Sequence, residues 1–339
     1  MIRQVAIFGP PVGLSSGPSS FRRVLEQELR RRGVKIVSAN EDTLPHSVLI
    51  MSGTRRLHKI IRIRRRGARV VLRLDGVPTS SQHELSMIQR LRQRLRFHLI
   101  NVIRRHLADG IVYQSCYSRD AWGRIGGSDK RPSTIIYNGT DLDFFRPAGT
   151  RSRDLIVSEG SISSVTGGVD LLQRVASQFR VRGLDTQILV CGRLDAKDSA
   201  ALSSESCIRV LGALPQERLA EQLRSAGAML SIERQPHCPN AVIEALASGT
   251  PVVGFATGSL AELANESCGF LVPFPGDPES ISPPPITDLL EAIDKALDSG
   301  ESTSLAARAQ AEARFDIRSV AAAYSRFLLE GRSVSIDSA

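Results

Sequence analysis

Short apolar runs alternate with amphipathic helical patterns along almost the whole chain. Residues 4–8, QVAIF, read as a buried strand. The glycine- and proline-rich stretch GPPVGLSSGPSS then leads into a helix over 21–32 that Gly33 closes. Strands are predicted over 34–38, 48–52 and 69–74, with a basic helix between the last two. A long arginine-rich helix covers about 83–107, and strands follow over 110–113 and 134–137. The pattern then restarts with a strand over 154–158, a helix over 168–180 and strands over 186–191 and 208–211. After these come a helix over 215–226, a strand over 228–232, a helix over 240–248 and a strand over 252–255. Strands alternating with helices predict βαβ units and parallel sheets. PFPGDPESISPPP reads as a surface connection, and helical patterns follow over 286–298, 304–314 and 317–329.

Two such series in 339 residues predict an α/β protein of two doubly wound, Rossmann-like domains facing a cleft. The expected boundaries are 1–148 for the first domain, 149–315 for the second, and 316–332 for a C-terminal helix. Its apolar positions 320, 324, 327 and 328 suit packing back onto the first domain. Open parallel sheets bind ligands at the carboxyl ends of their strands, where helix N-termini attract phosphates.

The chemistry concentrates in SIERQPHCPNAVIEALASGTPVV, residues 231–253. Asn240, Glu244 and Ser248 fall on one polar stripe of a helix, with Val242, Ile243, Leu246 and Ala247 on the buried side. Pro239 precedes the helix and Asn240 can cap it. A carboxylate at Glu244 can accept two hydroxyls of a sugar diol; by spacing alone, an exposed helical glutamate is the more common case. Downstream, Thr257, Gly258 and Ser259 form a turn, and the N–H groups of Ser259 and Leu260 are candidates to hold a diphosphate.

CPNAVIEALASGTPVVGFATGSLAEL resembles the nucleotide-sugar site of family 4 glycosyltransferases of the GT-B fold. IIYNGTDLDFFRP, SISSVTGGVDLL and VLGALPQERLAEQLRSAGAML resemble further segments of that family, so the likeness spans most of 105–330. It is thinner in the first domain, where GLSSGPSSFRRVLEQELRRRGVKI suits a glycine loop and first helix. The resemblance implies a ribose carboxylate at Glu244, donor-phosphate contacts at Gly258 and Ser259, and an approach to the diphosphate by Gly17. Cys238, Pro239 and Asn240 would line the donor through their loop backbone. It also implies transfer with retention, the leaving phosphate assisting deprotonation, with no metal or other cofactor and a nucleoside diphosphate sugar as co-substrate. Positive donors then stabilise the leaving diphosphate in place of a divalent cation.

Three positions depart from the family pattern. Pro236 stands where the first acidic residue of an E-x7-E signature belongs, with Glu233 and His237 nearby but out of register. Ser161 and Gly167 hold the places of a basic pair, which leaves Arg193 as a candidate cation or a solvated loop residue. The histidine expected after the fourth strand is replaced by Asp75 and Gly76. Asp75 is a candidate base or hydroxyl ligand, a loop cap being nearly as common; together with His237 it is the candidate catalytic group.

Composition narrows the partners. Five scattered cysteines without a C-x-x-C pair argue against a disulfide framework or zinc site, and Cys116 reads as a core residue after a strand. The net charge is +9, and only five basic residues are lysines. In the arginine-rich helix Ile88, Leu91, Leu95, Leu99 and Val102 form an apolar stripe among Arg90, Arg92, Arg94, Arg96, Arg104 and Arg105. The favoured expectation is a stripe buried in the core with solvated arginines; the sharper one is a surface for anionic lipids. Nucleic acid ranks last, since aromatics are only 5% and no nucleic-acid module is present. No apolar run is long enough to span a bilayer, so the expected location is cytoplasmic or peripheral on the inner membrane face. The reading is a glycosyltransferase acting on a glycan, lipid-linked or small-molecule acceptor. The alternatives are an impaired relative that only binds a nucleotide sugar or glycan, and a basic membrane or polyanion binder.

Overall fold

The computed structural model describes residues 3–10, 17–38, 44–77, 87–129, 131–278 and 283–331. Residues 11–16 of the glycine- and proline-rich stretch, residues 83–86 of the arginine-rich stretch and residue 332 lie outside these. The chain divides into two compact units, residues 1–139 with 314–339, and residues 140–313.

The first unit holds β1 (Gln4–Phe8), α1 (Gly17–Arg31), β2 (Lys35–Val37), β3 (Ser47–Met51), α2 (Leu57–Arg65), β4 (Arg69–Leu74) and α3 (Met87–Val102). A π-helical turn continues α3 over Ile103–Leu107, and β5 (Gly110–Tyr113), α4 (Cys116–Gly126) and β6 (Ser133–Ile135) complete the series. All six strands are parallel, in the order β2-β1-β3-β4-β5-β6. Successive residues of β3 serve opposite faces: Leu49 and Met51 join one core cluster, Val48 and Ile50 the other. A strand covered on both faces reads as a continuous apolar run, which is why SVLIM shows no alternation.

The second unit runs β7 (Leu155–Ser161), α5 (Gly168–Val181), β8 (Ile188–Arg193), α6 (Ala196–Ser203), β9 (Ile208–Gly212), α7 (Gln216–Ser225) and β10 (Ala228–Ser231). It continues through α8 (Asn240–Ala247), β11 (Val252–Phe255), α9 (Leu260–Leu263), β12 (Gly269–Val272), α10 (Thr287–Leu297) and α11 (Glu301–Arg314). Its sheet is also parallel, in the order β12-β11-β10-β7-β8-β9. The final helix, α12 (Ile317–Glu330), returns to the first unit and packs on α1, where Phe21 and Tyr324 place their ring centroids 6.0 Å apart. Val320, Tyr324, Phe327 and Leu328, the apolar positions of its pattern, are all buried.

The arginine-rich helix turns a different face inward from the one its apolar stripe suggests. Phe97 stacks on Trp122 at 5.4 Å, Ile100 lies against Gly53 and Ile103 is fully buried. These positions, three or four apart, lie on a different side from Ile88, Leu91 and Leu95. The stripe is therefore open: Ile88 is 63%, Leu91 57% and Leu95 55% exposed, while only Leu99 and Val102 are half-covered. Arg104 departs in the opposite sense. It is buried, donating to Asp129 (2.6 Å) and to the carbonyls of Gly127 (2.7 Å) and Trp122 (3.3 Å). Cys116 is half-buried at the start of α4, rather than a core residue.

Candidate functional site

In the second unit the chain leaves β7 to one side through β8 and β9, and crosses to the other through β10, β11 and β12. The crevice at the carboxyl ends of β7 and β10 is the topological switch point, where such sheets bind ligands. Two loops form it. The first follows β7: Ser163 Oγ accepts the Val165 amide at 3.1 Å and Asp198 Oδ2 accepts the Ser164 amide at 2.9 Å. This pins a single 3-10 turn, Ser164–Thr166, ahead of Gly167, which enters α5 with φ 77°. Gly168 is buried so tightly that a Cβ there would lie 2.9 Å from Ile232.

The second loop, residues 232–239, follows β10 and brings a cation that sequence spacing did not reveal. The Arg234 guanidinium stands over Gly167, its Nη2 2.8 Å from where a Cβ would be. It also sits over the Phe274 ring, 5.9 Å from its centroid. A side chain at 167 would meet that guanidinium, so the glycine at 167 leaves room for the arginine at 234. Arg193, the earlier candidate, is exposed at the end of β8 and in register with an exposed Ser161.

Pro236 is buried, and its carbonyl accepts the Ser259 amide at 2.7 Å. Gly258, at φ 58°, lies so close that a Cβ would be 2.3 Å from that oxygen. The proline in the missing carboxylate's place thus clamps the β10–α8 loop to the turn before α9. This corrects the expectation for that turn: the Ser259 amide is taken by Pro236 and the Leu260 amide by the Thr257 carbonyl at 3.1 Å, so neither is open to a phosphate. Thr257 and Ser259 are themselves buried.

In α8, Val242, Ile243, Leu246 and Ala247 are buried as the pattern requires, and Asn240 and Glu244 are half-exposed. Two details differ from expectation. The capping residue is Pro239, with no side-chain cap, and Asn240 is the first helical residue. Ser248, the end of the polar stripe, is buried because the chain turns inward there towards Gly249 and Thr250. Cys238 is buried and Pro239 half-buried in the same loop. Burial lowers the pKa of His237 to about 4, so its imidazole is neutral at pH 7. Glu159, on β7, accepts the Ile232 amide at 3.3 Å; burial, then the Glu233 carboxylate, raises its pKa to about 8.

In the first unit, Gly17 is exposed at the first residue of α1. Asp75 follows β4, bound by the buried Arg73, which also donates to Gln114 (2.8 Å) and Asn138 (2.6 Å). The Asp75 carbonyl accepts the Trp122 indole N–H at 2.7 Å, so this residue is fixed in place at the strand end.

Residues 153–283 match the model of the family described as glycosyl transferases group 1. No curated protein matches the chain. Among solved structures, sucrose-phosphate synthase from Thermosynechococcus elongatus is 16% identical, with a TM-score of 0.73 over 97% of this chain and 98% of that one. Anabaena HepE, solved in complex with UDP-glucose, is 14% identical, with a TM-score of 0.69 over 96% of this chain and 99% of that one. A glycosyltransferase from Rickettsia africae ESF-5 is 13% identical, with a TM-score of 0.67 over 97% and 98%. The chain is a GT-B-fold protein of two Rossmann-like units, and its residues 153–283 are similar to the group 1 glycosyl transferases.

Proposed function

We propose that the protein transfers a sugar, with retention and without a metal ion, from a nucleoside diphosphate sugar to an acceptor hydroxyl. The observation that carries the reading is Arg234 over Gly167 at the switch point, a cation at the start of α5, in a segment matching the group 1 glycosyl transferases. Donor diphosphate fits there, since helix starts and guanidinium groups both favour phosphate. Glu244 takes the ribose diol. His237, neutral at working pH, serves the donor sugar as a hydrogen-bonding group rather than as a cation. In the reaction the anomeric carbon–phosphate oxygen bond breaks and the acceptor oxygen bonds that carbon. The hydroxyl proton goes to the leaving diphosphate.

The reading is tested by release of nucleoside diphosphate from UDP-, GDP- and ADP-sugars without acceptor. One donor is expected to be hydrolysed slowly, with activity surviving chelation of divalent cations. Glu244→Ala is expected to abolish release, and Arg234→Ala to lower it about 100-fold, as loss of one oxyanion-stabilising group does. A nucleotide that raises the melting temperature with no turnover would favour the binding-only alternative instead.

The exposed Ile88, Leu91 and Leu95 favour an added property, attachment of the first unit to an anionic membrane surface. Residues 87–107 contain no acidic residue, and five of their six arginines are exposed, Arg104 being buried, which matches that surface in charge. No helix among the described residues is long and apolar enough to cross a membrane.

A further inference from the structure

The first unit has its own switch point, between the carboxyl ends of β1 and β3. A crevice of about 800 Å3 opens there. Among its lining residues the single carboxylate, Glu26, is committed: it accepts Arg22 Nε at 2.6 Å and Arg30 Nη2 at 3.1 Å. Arg22 is further held by the carbonyls of Pro10 (2.9 Å) and Gly9 (3.2 Å). Arg56, Lys59 and Arg96 line the same crevice with no carboxylate partner among the described residues. Arg56 also caps α2, a helix without an acidic residue in its first turn. Three cations without a carboxylate partner among the described residues, together with a helix start, select an anion, and phosphate in particular.

A second cavity, of about 320 Å3, adjoins this one and shares Ser52, Gly53 and Arg96 with it. Its buried polar atoms include Ser52 Oγ, Asp75 Oδ2 and Gln93 Oε1, none with a hydrogen-bond partner among the described residues. Two of the three can only accept, so their complement is a set of donating hydroxyls. Ser52 is held at φ 61°, a conformation uncommon for a residue with a Cβ, followed by Gly53 at φ 83°. A strained turn beside a cavity with unsatisfied buried polar atoms is the kind of site a ligand completes.

We propose that the first unit binds a phosphate ester of a polyhydroxylated molecule, with its phosphate on Arg56, Lys59 and Arg96 and its hydroxyls in the Asp75 cavity. This rests on the transferase reading only in making that molecule the acceptor. The phosphate can belong to a free sugar phosphate or to a lipid headgroup, and the chemistry recognised is the same.

The chain's single tryptophan, Trp122, lines the second cavity and reports on it directly. Without donor, glucose 6-phosphate is expected to change Trp122 fluorescence saturably, with glucose at least about tenfold weaker and inorganic phosphate competing. Added salt should weaken the phosphorylated ligand and not glucose. The double variant Arg56→Glu with Lys59→Glu, both outside the core, should weaken binding about tenfold or more with the melting temperature unchanged. Sedimentation with vesicles of phosphatidylglycerol or phosphatidylcholine separates the sources. Capture by the former, lost in the double variant, without a glucose 6-phosphate response, assigns the phosphate to a lipid.

Equal response to glucose and glucose 6-phosphate, persistence in the double variant, or no response to either source would overturn the proposal. So would a UDP response abolished by the same variant, which would give the crevice to the donor. Donor hydrolysis without acceptor decides the transferase reading separately. Phosphate binding without hydrolysis would sink the transferase and leave the site, and hydrolysis without phosphate binding would do the reverse.

Discussion

At the scale of single residues, Pro236 and Gly258 show how a local departure is absorbed. The proline brings no carboxylate, but its carbonyl holds the Ser259 amide, and Gly258 permits the approach by having no side chain at φ 58°. Gly258→Ala must strain the backbone and push a Cβ into the Pro236 oxygen. A loss of about 1–3 kcal/mol is expected in urea unfolding. Unchanged stability would mean that the two loops are not clamped there. The proline was visible in the sequence; its contact with a glycine 22 positions later was not, because spacing within one element carries no information about a loop from another. Arg234 was missed for the same reason: it approaches Gly167 from across the switch point.

At the scale of elements, strands and helices were largely legible, since burial on both faces makes parallel strands continuous apolar runs. Strands over Gln4–Phe8, Arg69–Leu74, Gly110–Tyr113 and Val252–Phe255 lie where the runs put them. The missed elements are α4, α6 and β12. The first two are short and polar, capped by Ser115 and Asp195 through the amides of Ser118 and Asp198, a signal easily lost among loop serines and aspartates. β12, GFLV, is only half-buried at a sheet edge. In α3 the period was right and the face was wrong, because Phe97, Ile100 and Ile103 outcompeted the leucine stripe for the interior. That outcome is testable. Leu91→Glu with Leu95→Glu should shift unfolding by no more than about 0.5 kcal/mol per site, as at exposed positions. The same variant should abolish capture by phosphatidylglycerol vesicles. A loss of several kcal/mol would mean that the stripe is buried after all.

At the scale of the whole molecule, the two units carry different chemistry on the same sheet plan, and the pH dependence of stability belongs to the second. His237 has a folded-state pKa of about 4, below its ordinary 6.5. The unfolded chain therefore takes up a proton that the folded one refuses, and this contribution is present above pH 6.5 and lost as pH falls towards 4. Glu159 works in the opposite sense, since its pKa is raised to about 8 from 4.5. Its contribution is full below pH 4.5, shrinks as pH rises because unfolding releases a proton, and is gone above 8. Between pH 4.5 and 6.5 the His237 slope opposes that of Glu159, and from 6.5 to 8 His237 no longer contributes a slope, while Glu233, whose pKa burial also raises, acts in the same sense as Glu159. Urea unfolding of the second unit should thus weaken more steeply across the second interval than across the first. Glu159→Gln keeps an acceptor for the Ile232 amide and removes that titration, so its curve should fall less steeply than wild type between pH 6.5 and 8 and lie above it at pH 8. A variant curve as steep as wild type over that interval would place the proton on another group. The first unit contains none of these residues, so in any separately resolved unfolding step it should lack this slope.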